Sequence, residues 1–344
     1  MSLKIAIAQM NAVVGDIAGN AAKILDFARR AAAQGADAML TPELALCGYP
    51  PEDLLLRRDY YEACAEALSS LARELPDLAV IVGHPLEEDG RCFNAATLIG
   101  NGALLTTYRK QRLPNYEVFD EERYFEPGTE ACVFELKGVK IGVNICADVW
   151  EAGAADGARE AGAELLLVLN ASPFHMYKQG LRYEVLRERI ADTGLPVVYC
   201  NLVGGQDELV FDGGSFALDR DGTLAWQGVS FAEELAVLRF ADGAWLDRSV
   251  PEPRPVEAEV YDALVLGVLA ALYRDRWPDQ VIRVVSIAAL ATPSFWLAIL
   301  LIQWLSDVPG GAGLFPAVIS EWVPFATDPG VYINNVTLPA FALA

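Results

Sequence analysis

From Lys4 to Leu218, short apolar runs alternate with longer amphipathic stretches, and this alternation constrains the fold more than any other feature. Lys4–Ala8, Met39–Leu40, Ala79–Val82, Ala95–Ile99, Lys140–Val143, Leu165–Leu169, Val197–Cys200 and Ser215–Leu218 read as strands. Asn20–Ala33 carries Ile24, Phe27, Ala28 and Ala31 at helical spacing and stops before Gly35. Tyr60–Leu75 and Lys178–Thr193 are helices by the same pattern. Strands separated by helices require a layered α/β domain, because each apolar face must be covered by another element. Val210–Phe240 is richer in strands, and Asp212-Gly213 and Asp221-Gly222 predict hairpin turns there. Composition then changes. Arg248–Glu257 is a proline-rich linker, and Ala258–Tyr273 has a helical pattern. The organisation expected is therefore 1–247, a linker and helix over 248–274, and an apolar helical tail over 275–344.

In the tail, Val284–Leu305 runs for about 22 residues without a charge, near the length of a bilayer span. Pro293 interrupts it, which membrane helices tolerate. Arg274, Arg276 and Arg283 precede it, so that side is expected to be cytoplasmic. The alternative is a buried helix of a soluble domain. Residues 1–10 lack a signal-peptide pattern and read as a buried strand, so 1–274 is expected in the cytoplasm with reduced thiols. The formal net charge of −21 argues against nucleic acid as a partner. None of the six cysteines forms a C-x-x-C pair and there are only two histidines, so no metal site is expected.

Three reactive side chains stand at predicted strand ends, where α/β folds place chemistry. Glu43 follows Met39-Leu40-Thr41-Pro42, Lys110 follows Leu104–Arg109, and Cys146 follows Ile141–Ile145. A thiol attacking an amide needs a base for its proton, a stabiliser for the oxyanion and an acid for the departing ammonia. Glu43 can act as base and then acid, provided burial raises its pKa. Lys110, helped by the backbone N–H of Ala147, can hold the oxyanion. Taken singly, each has a plainer reading: a packed cysteine, a solvated glutamate, a solvated lysine.

Three segments containing these residues occur in order: 41–55 (Thr-Pro-Glu-Leu-Ala-Leu-Cys-Gly-Tyr-Pro-Pro-Glu-Asp-Leu-Leu), 108–125 and 142–150 (Gly-Val-Asn-Ile-Cys-Ala-Asp-Val-Trp). This set resembles the nitrilase (carbon–nitrogen hydrolase) superfamily. With Asn-Ala-Ser-Pro-Phe-His (170–175) and the 204–216 segment, it is similar to the glutaminase domain of glutamine-dependent NAD synthetases. The likeness spans about residues 3–268. It implies a four-layer α-β-β-α sandwich, with Glu43 as general base, Lys110 as transition-state stabiliser and Cys146 as thioester nucleophile. It further implies that Tyr116, Ser172 and Lys178 face a glutamine substrate and that Glu121 supports the triad, with Glu117 and Glu122 as neighbouring candidates. His175 and Cys47 are expected to be structural. Where much of the family has an acidic residue after the cysteine, this chain has Ala147; the N–H is kept and a side-chain contact to substrate is lost.

The resemblance also implies self-association into a homo-oligomer. The Ser-Gly-Gly-x-Asp-Ser phosphate loop of the synthetase half does not occur, so no cofactor is expected in this chain, ATP and Mg belonging to that missing domain. The helix beginning at Glu257 resembles that domain's entry helix. Ser286–Ile302 and Val336–Ala344 are similar to permease subunits of dipeptide and oligopeptide ABC transporters. Two alternatives to a glutaminase follow: an amidase acting on another small carboxamide, or a non-catalytic membrane-associated protein.

Overall fold

The computed structural model describes residues 2–116, 118–206, 209–273 and 327. The charge-free stretch 284–305, the other permease-like residues and Glu117 lie outside the described residues. Among the described residues no helix is long and apolar enough to cross a membrane. The chain divides into a unit of Met1–Ala271 and one of Leu272–Ala344, and every element below begins in the first.

Two sheets form the frame. The first contains β1 (Leu3–Gln9), β2 (Ala38–Leu40), β3 (Ala79–Glu88), β4 (Arg91–Gly100), β5 (Ala103–Arg109), β14 (Glu234–Ala241) and β15 (Ala244–Trp245), in the order β15-β14-β1-β2-β3-β4-β5. The second contains β6 (Cys132–Leu136), β7 (Val139–Ile145), β8 (Leu165–Asn170), β9 (Val197–Asn201), β12 (Phe216–Leu218) and β13 (Leu224–Gln227), in the order β13-β12-β9-β8-β7-β6. A separate hairpin joins β10 (Val203–Gln206) to β11 (Leu209–Asp212). Each sheet has three parallel strands at its centre, β1-β2-β3 and β7-β8-β9, with antiparallel strands outside them. The parallel strands are the ones whose sequences are apolar without alternation, because both of their faces are covered.

The helices α1 (Ile17–Ala33) and α2 (Arg58–Glu74) link β1 to β2 and β2 to β3. The short α3 (Ala147–Trp150), α4 (Ala154–Glu160) and α5 (Lys178–Thr193) do the same between β7, β8 and β9. Strand periodicity divides the interior into three cores. Leu3, Ile5 and Ile7 of β1 face Ile141, Val143 and Ile145 of β7 and Leu165, Leu167 and Leu169 of β8, in the core between the sheets. Ala6 and Ala8 turn the other way, onto Ile24, Phe27, Ala28 and Ala31 of α1. Leu166 and Val168 pack on Leu186 and Ile190 of α5. The layers therefore run helix, sheet, sheet, helix.

Boundaries follow local chemistry. Helix α1 starts three residues before the apolar stripe suggests, because the Asp16 carboxylate accepts the Gly19 N–H at 2.9 Å and caps it. The ends of α5 match the sequence expectation, with Gly194 in the left-handed conformation (φ 69°) closing it. Asp221-Gly222 lies in the β12–β13 hairpin as expected. Asp212-Gly213 does not make a hairpin. β11 pairs back onto β10, and Gly213 and Gly214 (φ 66° and 58°) carry the chain from that hairpin into β12 of the second sheet. Part of the proline-rich segment is docked rather than free: the Ser249 N–H donates to Ala225 O at 3.0 Å. Beyond it, α6 (Val256–Tyr273) exposes Tyr261, Leu264, Val265 and Val268.

His84 of β3 is buried, with Nε2 2.7 Å from Thr97 Oγ1 and Nδ1 3.0 Å from Pro85 O. Burial lowers its pKa from 6.5 to about 4. The unfolded chain therefore takes up a proton below pH 6.5 that the fold refuses until about pH 4, so this residue makes stability fall with acidification through that window. The full effect is about 3 kcal/mol. Denaturant melts should show the wild type losing more stability than His84→Gln between neutral pH and the lower end of that window; parallel losses would refute the assignment.

Candidate active site

The side chains that sequence reasoning placed at strand ends meet in one buried cluster. Glu43 lies in the loop after β2, Lys110 directly after β5 and Cys146 directly after β7. Lys110 is 0% exposed, Glu43 1% and Glu121 5%. Lys110 Nζ donates to Glu43 Oε1 at 2.6 Å and to the two oxygens of Glu121 at 2.8 and 2.9 Å. Glu121 therefore stands inside the cluster, on a single 3-10 turn (Glu121–Arg123), whereas Glu122 is exposed and receives Asn115 Nδ2.

Several partners had no sequence signal of their own. Asn94, inside β4, donates to Glu43 Oε1 at 2.8 Å and to Glu121 Oε2 at 3.4 Å. Tyr49 donates its hydroxyl to Glu121 Oε1 at 3.0 Å. The Ala171 N–H, just past β8, donates to Glu43 Oε2 at 3.0 Å. The loop carrying Glu43 can sit this close only because residue 83 is glycine: a Cβ there would lie 2.5 Å from Pro42 O and 2.6 Å from Leu44 N.

Cys146 occupies the corner between β7 and α3 with φ 43° and ψ −99°. A side chain in that region carries of order 1–3 kcal/mol of backbone strain, which the surroundings must hold in place. Two anchors do so. The Cys146 N–H donates to Leu169 O at 2.8 Å. The buried Asp148 carboxylate accepts the N–H groups of Ile145, Gln111 and Arg112 at 2.8–2.9 Å and the Tyr108 hydroxyl at 2.7 Å. Asp148 thus ties the end of β7 to the chain just after Lys110. Burial nevertheless raises its pKa against those donors.

One ammonium between two carboxylates leaves the cluster short of positive charge. Burial opposes the Lys110 ammonium, but Glu121 and Glu43 outweigh it and hold its pKa above the usual lysine value. Burial raises Glu121, and Glu43 adds to this, while Lys110 pulls the other way. Burial and then the Glu43 charge push the Cys146 thiol well above its ordinary value, with Lys110 and the Ala171 N–H opposing them. These influences favour the neutral thiol at Cys146, with the Glu43 charge among its surroundings.

Ala147 is buried at the start of α3. Ser172 is buried, with its N–H on Asn201 Oδ1 at 2.9 Å and its Oγ accepting Arg182 Nε at 3.3 Å. Lys178, at the first position of α5, places Nζ 4.6 Å from the centre of the Trp150 ring. Tyr116 is 53% exposed and meets Phe119 edge-on at 5.7 Å. His175 is exposed, its Nδ1 2.8 Å from Met176 O, and Cys47 is packed in the core under α1 and α2. No group of His, Cys, Asp or Glu among the described residues is arranged to hold a metal ion.

Comparison with known proteins gives this geometry a context. The family model described as carbon-nitrogen hydrolase matches residues 4–241. The chain belongs to the carbon-nitrogen hydrolase family. A second model, described as a binding-protein-dependent transport system inner membrane component, matches residues 263–341. Among relatives of this carbon-nitrogen hydrolase, glutamine-dependent NAD(+) synthetase of Xanthomonas campestris is 42% identical over 277 residues, 78% of this chain and 50% of its own. The Thermotoga maritima synthetase is 40% identical over 257 residues, covering 73% of this chain and 44% of its own. The chain thus spans about half the length of these curated relatives. A solved glutamine-dependent NAD+ synthetase from Acinetobacter baumannii superposes with a TM-score of 0.75 at 37% identity, over 78% of this chain and 51% of that one. An amidase of the nitrilase superfamily from Nesterenkonia superposes with a TM-score of 0.64 at 28% identity, over 70% of this chain and 91% of that one.

Proposed function

We propose that this carbon-nitrogen hydrolase releases ammonia from glutamine through a thioester on Cys146. The observation that carries the reading is Lys110, fully buried and bridging Glu43 to Glu121 next to a strained cysteine. Such a cluster stabilises negative charge and moves one proton. Glu43 accepts the thiol proton as Sγ bonds to the amide carbon. Lys110 and the Ala147 N–H hold the oxyanion. Collapse of the tetrahedral species breaks the carbon–nitrogen bond, Glu43 returns its proton to the leaving nitrogen, and ammonia departs. Water then attacks the thioester with Glu43 again as base, giving glutamate and the free thiol. Covalent chemistry at the cysteine is supported by a mutant of the Nesterenkonia amidase with a glutamate replaced by leucine, solved with the acetamide moiety of fluoroacetamide added at the active-site cysteine.

Glutamine is favoured by the synthetase relatives, and Tyr116, Ser172 and Lys178 are proposed to meet it. On this reading, 1–247 is the amidase, 248–274 its linker and former entry helix, and 275–344 a permease-like piece with a membrane segment at 284–305. The amidase works in the cytoplasm as a homo-oligomer, and ATP and Mg belong to the chemistry of a synthetase domain rather than to this one.

A second reading is an amidase of broader carboxamides. Ala147 favours it, and so does the Nesterenkonia enzyme, which the chain covers over 91% of its length. Ammonia release by the full chain, measured with glutamine, asparagine, acetamide and butyramide, separates the two. Glutamine should be preferred in kcat/KM by at least about tenfold. Equal or better turnover of the simple amides would select the second reading, and no ammonia from any of them would reject both.

A further inference from the structure

Arg182 of α5 is 0% exposed, an unusual place for a guanidinium, and three of its six hydrogen bonds run to residues 172–173. Nη1 and Nη2 grip the Asp212 carboxylate at 2.7 and 2.8 Å as a fork. Nη1 also reaches Gln179 Oε1 at 2.9 Å. The remaining donors go to 172–173: Nη2 to Ser172 O at 2.8 Å and Pro173 O at 3.3 Å, and Nε to Ser172 Oγ at 3.3 Å. Asn201 fixes the same segment from β9, with Ser172 N on its Oδ1 at 2.9 Å and its Nδ2 on Gly213 O at 2.9 Å. The preceding residue is Ala171, whose N–H lies on Glu43 Oε2 at 3.0 Å. Asp212 comes from the end of β11, where Gly213 and Gly214 turn the chain away. The odd Asp212-Gly213 junction therefore ends in a carboxylate aimed at Arg182.

We propose that Arg182, fixed by Asp212, is a positioning residue that holds 171–173 so that the Ala171 N–H stays on the Glu43 carboxylate beside Cys146. Arg182 does not need to touch substrate. It sets the rotamer of the base through a peptide that lies between base and nucleophile. Lysine cannot replace it, because an ammonium lacks the planar fork that spans Asp212 and the Ser172 carbonyl together. The charged and titratable groups that act electrostatically on Cys146 are Glu43, Lys110, Glu121, Tyr49, Tyr199 and Arg182 itself.

The test uses the full chain with Arg182→Lys, Arg182→Met and Asp212→Asn, each checked for folding by near-UV circular dichroism. Two quantities are read: kcat and KM for ammonia release from glutamine, and the rate of Cys146 alkylation by iodoacetamide as a function of pH, mapped by peptide mass. In every folded variant kcat should fall about 10- to 100-fold, with KM within about threefold, and the alkylation profile should move to higher pH as the Ala171 N–H is lost from the cluster. A folded variant with unchanged kcat and an unchanged alkylation profile overturns the proposal, and so does an effect confined to KM. If Arg182→Met does not fold, Arg182→Lys and Asp212→Asn decide. The kcat arm rests on the glutaminase reading; the alkylation arm does not. A wild type inert toward glutamine would therefore refute that reading while the alkylation shift still tests the role of Arg182.

Discussion

Cys146→Ala is expected to abolish ammonia release, by at least about 10^4-fold. The reason is chemical rather than structural. Alanine keeps the Cβ and so the same strained corner, with its N–H still on Leu169 O and Asp148 still tying the end of β7. The variant should therefore melt close to the wild type while losing the only atom that can form the thioester. An electrophilic glutamine analogue should add one equivalent of mass to the wild type and none to Cys146→Ala. Retention of more than about a tenth of the activity would refute the assignment of the nucleophile, and labelling of the variant would show that the analogue reports another thiol.

Lys110→Met should lower activity by about 10^3-fold, since it removes the charge that faces the developing oxyanion. It should also destabilise the fold by about 3–5 kcal/mol, the usual consequence of removing one partner of a buried ion pair. In this variant Glu43 and Glu121 face each other without a cation, and each disfavours the other's ionisation. The folded pKa of Glu121, already raised by burial, must then rise further above its unfolded value. Stability of the variant is thus lost as pH rises through those values and recovered on acidification. The deficit relative to wild type should shrink as pH is lowered. Adding Glu121→Gln should restore part of the stability and none of the activity. Equal melting of Lys110→Met and wild type at neutral pH would show that Lys110 does not neutralise the carboxylates.

The triad was legible because each member ends a strand, and strand ends are visible as breaks in apolar runs. Glu43, Lys110 and Cys146 were reachable in this way, and so was the layered fold. Asn94 and Tyr49 were not. Tyr49 lies within the 41–55 motif, but nothing in the pattern marks its hydroxyl for Glu121; Asn94 is an ordinary strand residue, and only the β4–β5 register, with the Lys110 N–H on Asn94 O at 2.8 Å, brings it to the carboxylates. Arg182 lies on a helix whose pattern is fully explained by packing, so nothing marks it until Asp212 is seen opposite. Asp212-Gly213 misled because it has the composition of a turn but joins two sheets. Meanwhile Asp89-Gly90, Asn101-Gly102, Lys137-Gly138 and Asp242-Gly243 do close two-residue hairpins, with positive φ at both positions. Those dipeptides were present in the sequence, and they mark turns that the apolar pattern alone did not.

The protonated state of Cys146 has a consequence for durability. Peroxides and most electrophiles attack thiolates, and a cysteine that is always ionised is exposed to them during every idle interval. Here burial and the Glu43 charge keep the proton on sulfur. On the proposed reading, nucleophilicity arises only when an amide is in place and Glu43 takes that proton, so between turnovers oxidants meet a protonated thiol at the reactive position.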